Sequence, residues 1–141
     1  MSILVIDGMG GGLGNQIVTQ LRSKMPTARI VAVGTNSTAT ANMVKAGANK
    51  GATGANAIRV CLQNASCVVG PFGMIMTDAL LGEITSEIAG MIGSCSKPRV
   101  LIPVAHDDVY IVGLSEKKSM SELVKQAVNR VEEIIGQTHV K

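Results

Sequence analysis

The chain has 141 residues, 46% of them hydrophobic, with one Phe, one Tyr, no Trp and a formal net charge of +3. That length supports one domain, residues 1–141, with a sizeable core. The shortage of aromatics excludes a nucleic-acid binder that works by base stacking, the small charge gives no footprint for a polyanion, and no apolar stretch reaches the roughly 18 residues that span a membrane.

"SILVID" (2–7) is an apolar run without alternation, the pattern of a strand buried on both faces. From Leu13, the residues Ile17, Val18, Leu21 and Met25 follow helical spacing until Pro26. "ARIVAVG" (28–34) is a second strand. Ser37 or Thr38 can cap a helix running through Met43, Val44 and Ala46 to Gly47. "ANKGATG" (48–54) is polar enough to form a third strand only at a sheet edge, and a short helix follows over 55–63. "SCVVGP" (66–71) is a fourth strand, after which the pattern is ambiguous through Gly82.

Thr85 fits the N-cap of a helix carrying Ile88, Met91 and Ile92. "PRVLIPV" (98–104) and "VYIVG" (109–113) read as fifth and sixth strands. Ser119 with Glu122 makes a capping box, behind which Leu123, Val124, Ala127, Val128, Val131, Ile134 and Ile135 form one apolar stripe. Strands alternating with helices, and a core of Val, Ile, Leu, Ala and eight Met, predict a three-layer α/β fold. Its sheet is doubly wound, mostly parallel and about six strands wide, Rossmann-like in character.

"VIDGMGGGLGNQIV" (5–18) places glycines between the first strand and the first helix. Backbone N–H groups at a helix N-terminus can hold phosphate, and glycines let the backbone come close to it. The same glycines can also serve only a tight turn and close helix packing. The spacing is not G-x-G-x-x-G but G-x-x-x-G-x-G through Gly8, Gly12 and Gly14, which resembles the coenzyme loop of short-chain dehydrogenases and reductases. "VAVGTN", "GATGAN" and "VVGPFG" stand where that family has its next three strand ends, so this resemblance covers about residues 1–75. It implies a cofactor site at Gly8, Gly10, Gly11, Gly12, Leu13, Gly14, Thr35, Asn36, Thr53, Gly54, Pro71 and Gly73. Gly34-Thr35-Asn36 offers no acid for a ribose 2′-OH, which favours NADP over NAD, with Lys45 and Lys50 as distant phosphate partners. The Tyr-x-x-x-Lys pair of that family is absent, because Tyr110 is the one tyrosine and Leu114 stands four positions on.

A second resemblance runs over nearly the whole chain. "IDGMGGGLG", "AVGTNSTAT", "KAGANKGATGANAI", "GPFGMIM", "LLGEIT" and "LIPV" resemble the ordered motifs of a family of short, uncharacterised Rossmann-like bacterial proteins. That resemblance implies a fold and a nucleotide-type ligand, and no activity.

Other candidates carry two readings each. Asp7 either holds a ligand or accepts N–H groups of its own turn. His106 and Asp107 in "AHDD" are an acid–base pair or a plain turn, and Glu83 in "LLGEIT" lines the cleft or merely precedes a helix cap. No metal-ligand spacing is present. Residues 1–77 hold six basic side chains against Asp7, whereas 78–141 hold seven basic and nine acidic ones. The positive half suits an anionic ligand, or its cations complement helix C-termini. Cys61, Cys67 and Cys95 form no CxxC, and "MSILVIDG" lacks a basic leader, which together suggest reduced thiols and a cytoplasmic location. The leading expectation is a small nucleotide-binding protein, NADP-type by preference, that works as a sensor or accessory subunit and forms a homo-oligomer. The alternatives are an enzyme completed by dimerisation, with Glu83, His106 or Asp107 as acid or base, and a scaffold that binds no nucleotide.

Overall fold

Strand β1 (Ser2–Asp7) is buried along its whole length because its side chains alternate between two cores. Ile3 and Val5 face one cluster, and Leu4 and Ile6 the other. This is the physical content of an apolar run without alternation: a central strand has no solvent face. The structure, a computed structural model, describes residues 2–104, 108–114 and 118–140, with side chains to Gln137. The expected candidates His106 and Asp107 lie outside the described residues.

The elements follow in the order β1, α1 (Gly12–Lys24), β2 (Ile30–Gly34), α2 (Ser37–Lys45), β3 (Lys50–Thr53), α3 (Ala55–Gln63), β4 (Ala65–Pro71), a 3-10 turn (Phe72–Ile75), α4 (Ser86–Ser94), β5 (Arg99–Ile102) and α5 (Met120–Val140). The sheet order is β3-β2-β1-β4-β5, and all four pairings are parallel. One core joins Ile17, Val18 and Leu21 of α1 with Val124, Val128 and Val131 of α5. The opposite core joins Ile58 and Leu62 of α3 with Ile88 and Ile92 of α4. Burying each such side chain stabilises the fold by about 1.5–3 kcal/mol, which is why these stripes determine where the helices dock.

Local signals explain most boundaries. Thr85 caps α4, its hydroxyl accepting the Ile88 N–H at 3.2 Å. Ser119 Oγ accepts the Glu122 N–H at 3.2 Å and starts α5. The cap of α2 is Asn36, one residue ahead of the Ser37 or Thr38 expected: its backbone is extended and its side-chain Oδ1 accepts the Ala39 N–H at 2.9 Å. Asparagine ranks with serine among N-caps, so the sequence left the position open by one residue. β3 is the polar edge strand foreseen.

Among the described residues the sheet has five strands, close to the six or so expected. "VYIVG" (109–113) forms no strand: the Leu114 N–H bonds to the Ile111 carbonyl at 3.2 Å, closing a turn where an extended chain was expected. Tyr110 and Val112 stand 89% and 101% exposed. β-branched residues favour extension where a neighbouring strand completes their hydrogen bonds, and among the described residues no strand pairs with this segment.

Candidate functional site

In a sheet ordered this way the chain leaves β1 in one direction and β4 in the other, which opens a crevice at their carboxyl ends. The loop Gly8–Gly11 borders that crevice. Gly11 is the N-cap of α1 at φ 77, and a Cβ there would stand 2.8 Å from the Ala39 Cα, so both conformation and packing require glycine. The loop is tied to α2 by Asn42, whose amide donates to the Gly10 carbonyl at 3.0 Å. Asn15 on α1 donates in turn to the Asn42 side chain at 2.8 Å.

Asp7 lies beneath the first turn of α1, and its Oδ2 accepts the Gly14 N–H at 2.7 Å. Of its two sequence readings, the structure shows the turn-bonding one. Burial pushes the Asp7 carboxyl above its ordinary 3.8, while the Gly14 and Gly8 amides pull it back and the Glu83 charge pushes it further up. The Gly11 N–H bonds to the Gly8 carbonyl. Gly12 and Leu13, the remaining donors of the first turn, have no acceptor among the described residues. Cβ atoms built on Gly10 and Gly12 meet nothing within 4 Å, so side-chain space beside these two glycines is open among the described residues.

Glu83 joins this site from a segment remote in sequence. Its Oε1 accepts the Met9 N–H at 2.9 Å, the Asn36 side-chain amide at 3.0 Å and the Thr35 hydroxyl. The Thr35 bond, followed by the Met9 amide, holds its carboxyl below the ordinary 4.5. A Cβ on Gly8 would stand 2.6 Å from Thr35 Oγ1 and 2.7 Å from Glu83 Oε1, so glycine at position 8 is what lets Glu83 settle here. Two carboxylates thus border the glycine loop, and no basic side chain among the described residues hydrogen-bonds to it.

Gly8 to Gly14, Thr35 and Asn36 are therefore brought together, and the register of β1 with β4 sets Pro71 and the Gly73 turn on the other side of the crevice. Thr53 and Gly54 serve the edge of the sheet: Thr53 shares a hydroxyl contact with Thr40 at 2.8 Å, and the Gly54 N–H donates to Gly34. Lys45 and Lys50 are no phosphate partners for this loop. Lys45 ends α2 and Lys50 begins β3, which puts both toward the amino ends of the strands. Arg22 is spent on backbone, donating to the carbonyls of Gly47, Pro26 and Ala28. The excess positive charge of the N-terminal half is thus not focused on the crevice. Among the described residues no group of His, Cys, Asp or Glu is placed to hold a metal, and burial pushes the Cys67 thiol up to about 11. A small cleft of about 120 Å³ between Asn15, Gln16, Thr19, Gln20, Ser121 and Val124 is too tight for a nucleotide.

A family model described as "Domain of unknown function (DUF3842)" matches residues 2–136. The chain belongs to that family. Among solved structures it is similar to a dodecameric FMN-dependent UbiX-like decarboxylase from Escherichia coli O157:H7. The TM-score is 0.51 and the identity 14%, over 95% of this chain and 94% of that one. At that identity the likeness shows a shared Rossmann-like α/β fold. No curated protein matches the chain. The likeness to short-chain dehydrogenases finds no support in these comparisons. The glycine spacing that carried it has local causes in this family member: Gly8 lies under Glu83, and a Cβ on Gly14 would run into Met43 and Asp7. Among the described residues no helix is long and apolar enough to cross a membrane.

Proposed function

We propose that this chain binds a nucleotide at the carboxyl ends of β1, β2 and β4 and works as a sensor or accessory subunit. The observation that carries the reading is the pair of amides at Gly12 and Leu13, without an acceptor among the described residues and set at the N-terminus of α1 beside the open Cβ position of Gly12. A phosphate there meets backbone donors and the positive end of a helix dipole. Pro71 and the 3-10 turn wall the other side, where a base or flavin ring would lie.

Two ligand types are favoured within that class. A dinucleotide with a phosphorylated ribose, NADP, suits the tip of β2 only with Glu83 moved aside, because Thr35 and Asn36 now donate to that carboxylate and would then be neutral donors to the phosphate. FMN is the second, by analogy with the structural neighbour. A sensor role fits the site better than self-contained catalysis, because Glu83 is held ionised by three donors and cannot readily deliver a proton. The exposed apolar side chains Leu81, Tyr110, Val112 and Leu114 support a homo-oligomer. The free cysteines Cys61, Cys67 and Cys95 support a reducing, cytoplasmic setting.

Thermal unfolding in the presence of NADP, NAD, FMN and ATP tests the reading. A nucleotide at roughly 100-fold excess over its Kd adds about 2.7 kcal/mol to stability. A raised midpoint with one of these ligands, abolished by Gly12→Val, is the expected result. Unchanged midpoints with all four ligands overturn the proposal.

A further inference from the structure

Residues 78–84, between the 3-10 turn and α4, fold over the tips of β1 and β2. The segment is closed by its own backbone: the Asp78 N–H donates to Ile84 at 2.7 Å, Gly82 to Asp78 at 3.1 Å, and Ile84 to Ala79 at 3.2 Å. Its conformation is costly. Asp78, Leu80 and Leu81 stand at φ 68, 55 and 56, a region that side chains rarely occupy, and Gly82 stands at φ 91. Leu81 is 90% exposed, so its burial offsets none of that strain. Ala79 and Leu80 pack against the core on this side of the sheet, and two further contacts hold the segment down. Ile84 is fully buried in the core, and Glu83 accepts from Met9, Thr35 and Asn36.

We propose that this segment is a lid, and that Glu83 latches it over a phosphate site formed by Met9, Thr35 and Asn36. The three donors converge on one anionic oxygen, and the backbone that carries them is held by bonds outside the lid. The Thr35 N–H bonds to the Asp7 carbonyl at 3.0 Å, while the Asn36 side chain caps Ala39 and donates to the Met9 carbonyl at 2.9 Å. Those bonds remain when the carboxylate leaves, and a phosphate oxygen offers the donors another anionic acceptor. In open parallel sheets the tip of β2, beside the glycine loop, receives the ribose end of a nucleotide. Leu80 and Glu83 cover Gly8 at that point, so the ligand must displace the lid to lie across it. The identity of the ligand rests on the nucleotide reading, whereas the latch stands on its own geometry.

Inorganic phosphate is the probe for the site, read through the Met9 amide by NMR. Glu83→Ala removes the competing carboxylate and is expected to bind phosphate at least about tenfold more tightly than the wild type, because the competent state no longer has to be won from the latch. Glu83→Gln, which keeps the shape and loses the charge, is expected to fall between the two. Thr35→Val in the Glu83→Ala background is expected to abolish the gain. Without any ligand, Glu83→Ala is expected to speed hydrogen exchange at Met9 and at residues 78–84. Unchanged exchange, or phosphate affinity equal to wild type in a folded Glu83→Ala protein, overturns the latch. Nucleotide midpoints that fail to move in both wild type and Glu83→Ala overturn the nucleotide reading alone.

Discussion

The Asp7 carboxylate accepts the Gly14 N–H at 2.7 Å from below the helix, while Glu83 faces the same loop from above. These two acids are displaced in opposite directions, so they leave opposite marks on stability. Asp7 is raised, chiefly by burial, so between 3.8 and its folded value the native protein keeps a proton that the unfolded chain has released. Its influence on stability therefore falls as pH rises through that window. Glu83 is lowered, chiefly by Thr35, so its contribution is complete above 4.5 and is lost as pH falls through its folded value. Urea midpoints followed from acid to neutral pH are expected to lose the downward limb in Asp7→Asn and the acid-side loss in Glu83→Gln. Asp7→Ala, which orphans the Gly14 amide, is expected to cost about 1–2 kcal/mol. A profile that Asp7→Asn leaves unaltered would remove the burial argument.

Gly12 and Gly14 are two residues apart and are expected to separate binding from folding. A Cβ on Gly14 runs into Met43 and Asp7, and Gly14→Ala is expected to destabilise by about 1–3 kcal/mol. Gly12 faces open space, and Gly12→Ala is expected to be neutral or slightly stabilising in the first turn of a helix. Chemical denaturation of both variants checks the contrast. Gly12→Val, with its larger side chain over the open amides, is expected to keep the fold and lose the nucleotide-induced shift.

The sequence shows the layered fold because that part depends on repeated local pattern. The buried run of β1, the stripe Val124, Val128, Val131 on α5 and the polar edge β3 each announce their position without knowledge of their neighbours. The site is less legible. Gly8, Thr35 and Asn36 follow from the rule that ligands sit at strand ends, but Glu83 reaches Met9 across 74 positions, and nothing local signals that contact. "VYIVG" misleads for the converse reason: it has the composition of a strand, but the Leu114 N–H closes a turn onto Ile111 there. The turns of the lid are hidden as well, since left-handed conformations at Leu80 and Leu81 contradict local preference.

That contradiction gives an expectation of opposite signs within one turn. Leu81 is exposed at φ 56, so Leu81→Gly relieves strain and is expected to stabilise the protein by about 1 kcal/mol despite the added freedom of the unfolded chain. Gly82 stands at φ 91 with open space around its Cβ position, so Gly82→Ala meets no clash yet is expected to cost about 1 kcal/mol from conformation alone. Thermal midpoints of the two variants give the signs directly. If the latch holds the lid shut, Leu81→Gly is also expected to weaken phosphate binding, because a relaxed lid opens less often.

Arg22 decides between the two readings of the positive N-terminal half. Its guanidinium donates to Gly47, Pro26 and Ala28 carbonyls and to the Asn49 side chain at 2.8 Å, tying the end of α1 to the turns before β2 and β3. Asn49 in turn accepts the Ile30 N–H at 2.8 Å, so the arginine also supports the start of β2. Arg22→Met keeps most of the aliphatic length and strips the donors, leaving part-buried carbonyls unsatisfied. The expected loss is about 1–3 kcal/mol of stability, with nucleotide-induced stabilisation unchanged. Denaturant midpoints measured with and without the ligand separate the two effects. A variant that folds as well as wild type but binds the nucleotide more weakly would return Arg22 to the ligand and restore the electrostatic reading of that half of the chain.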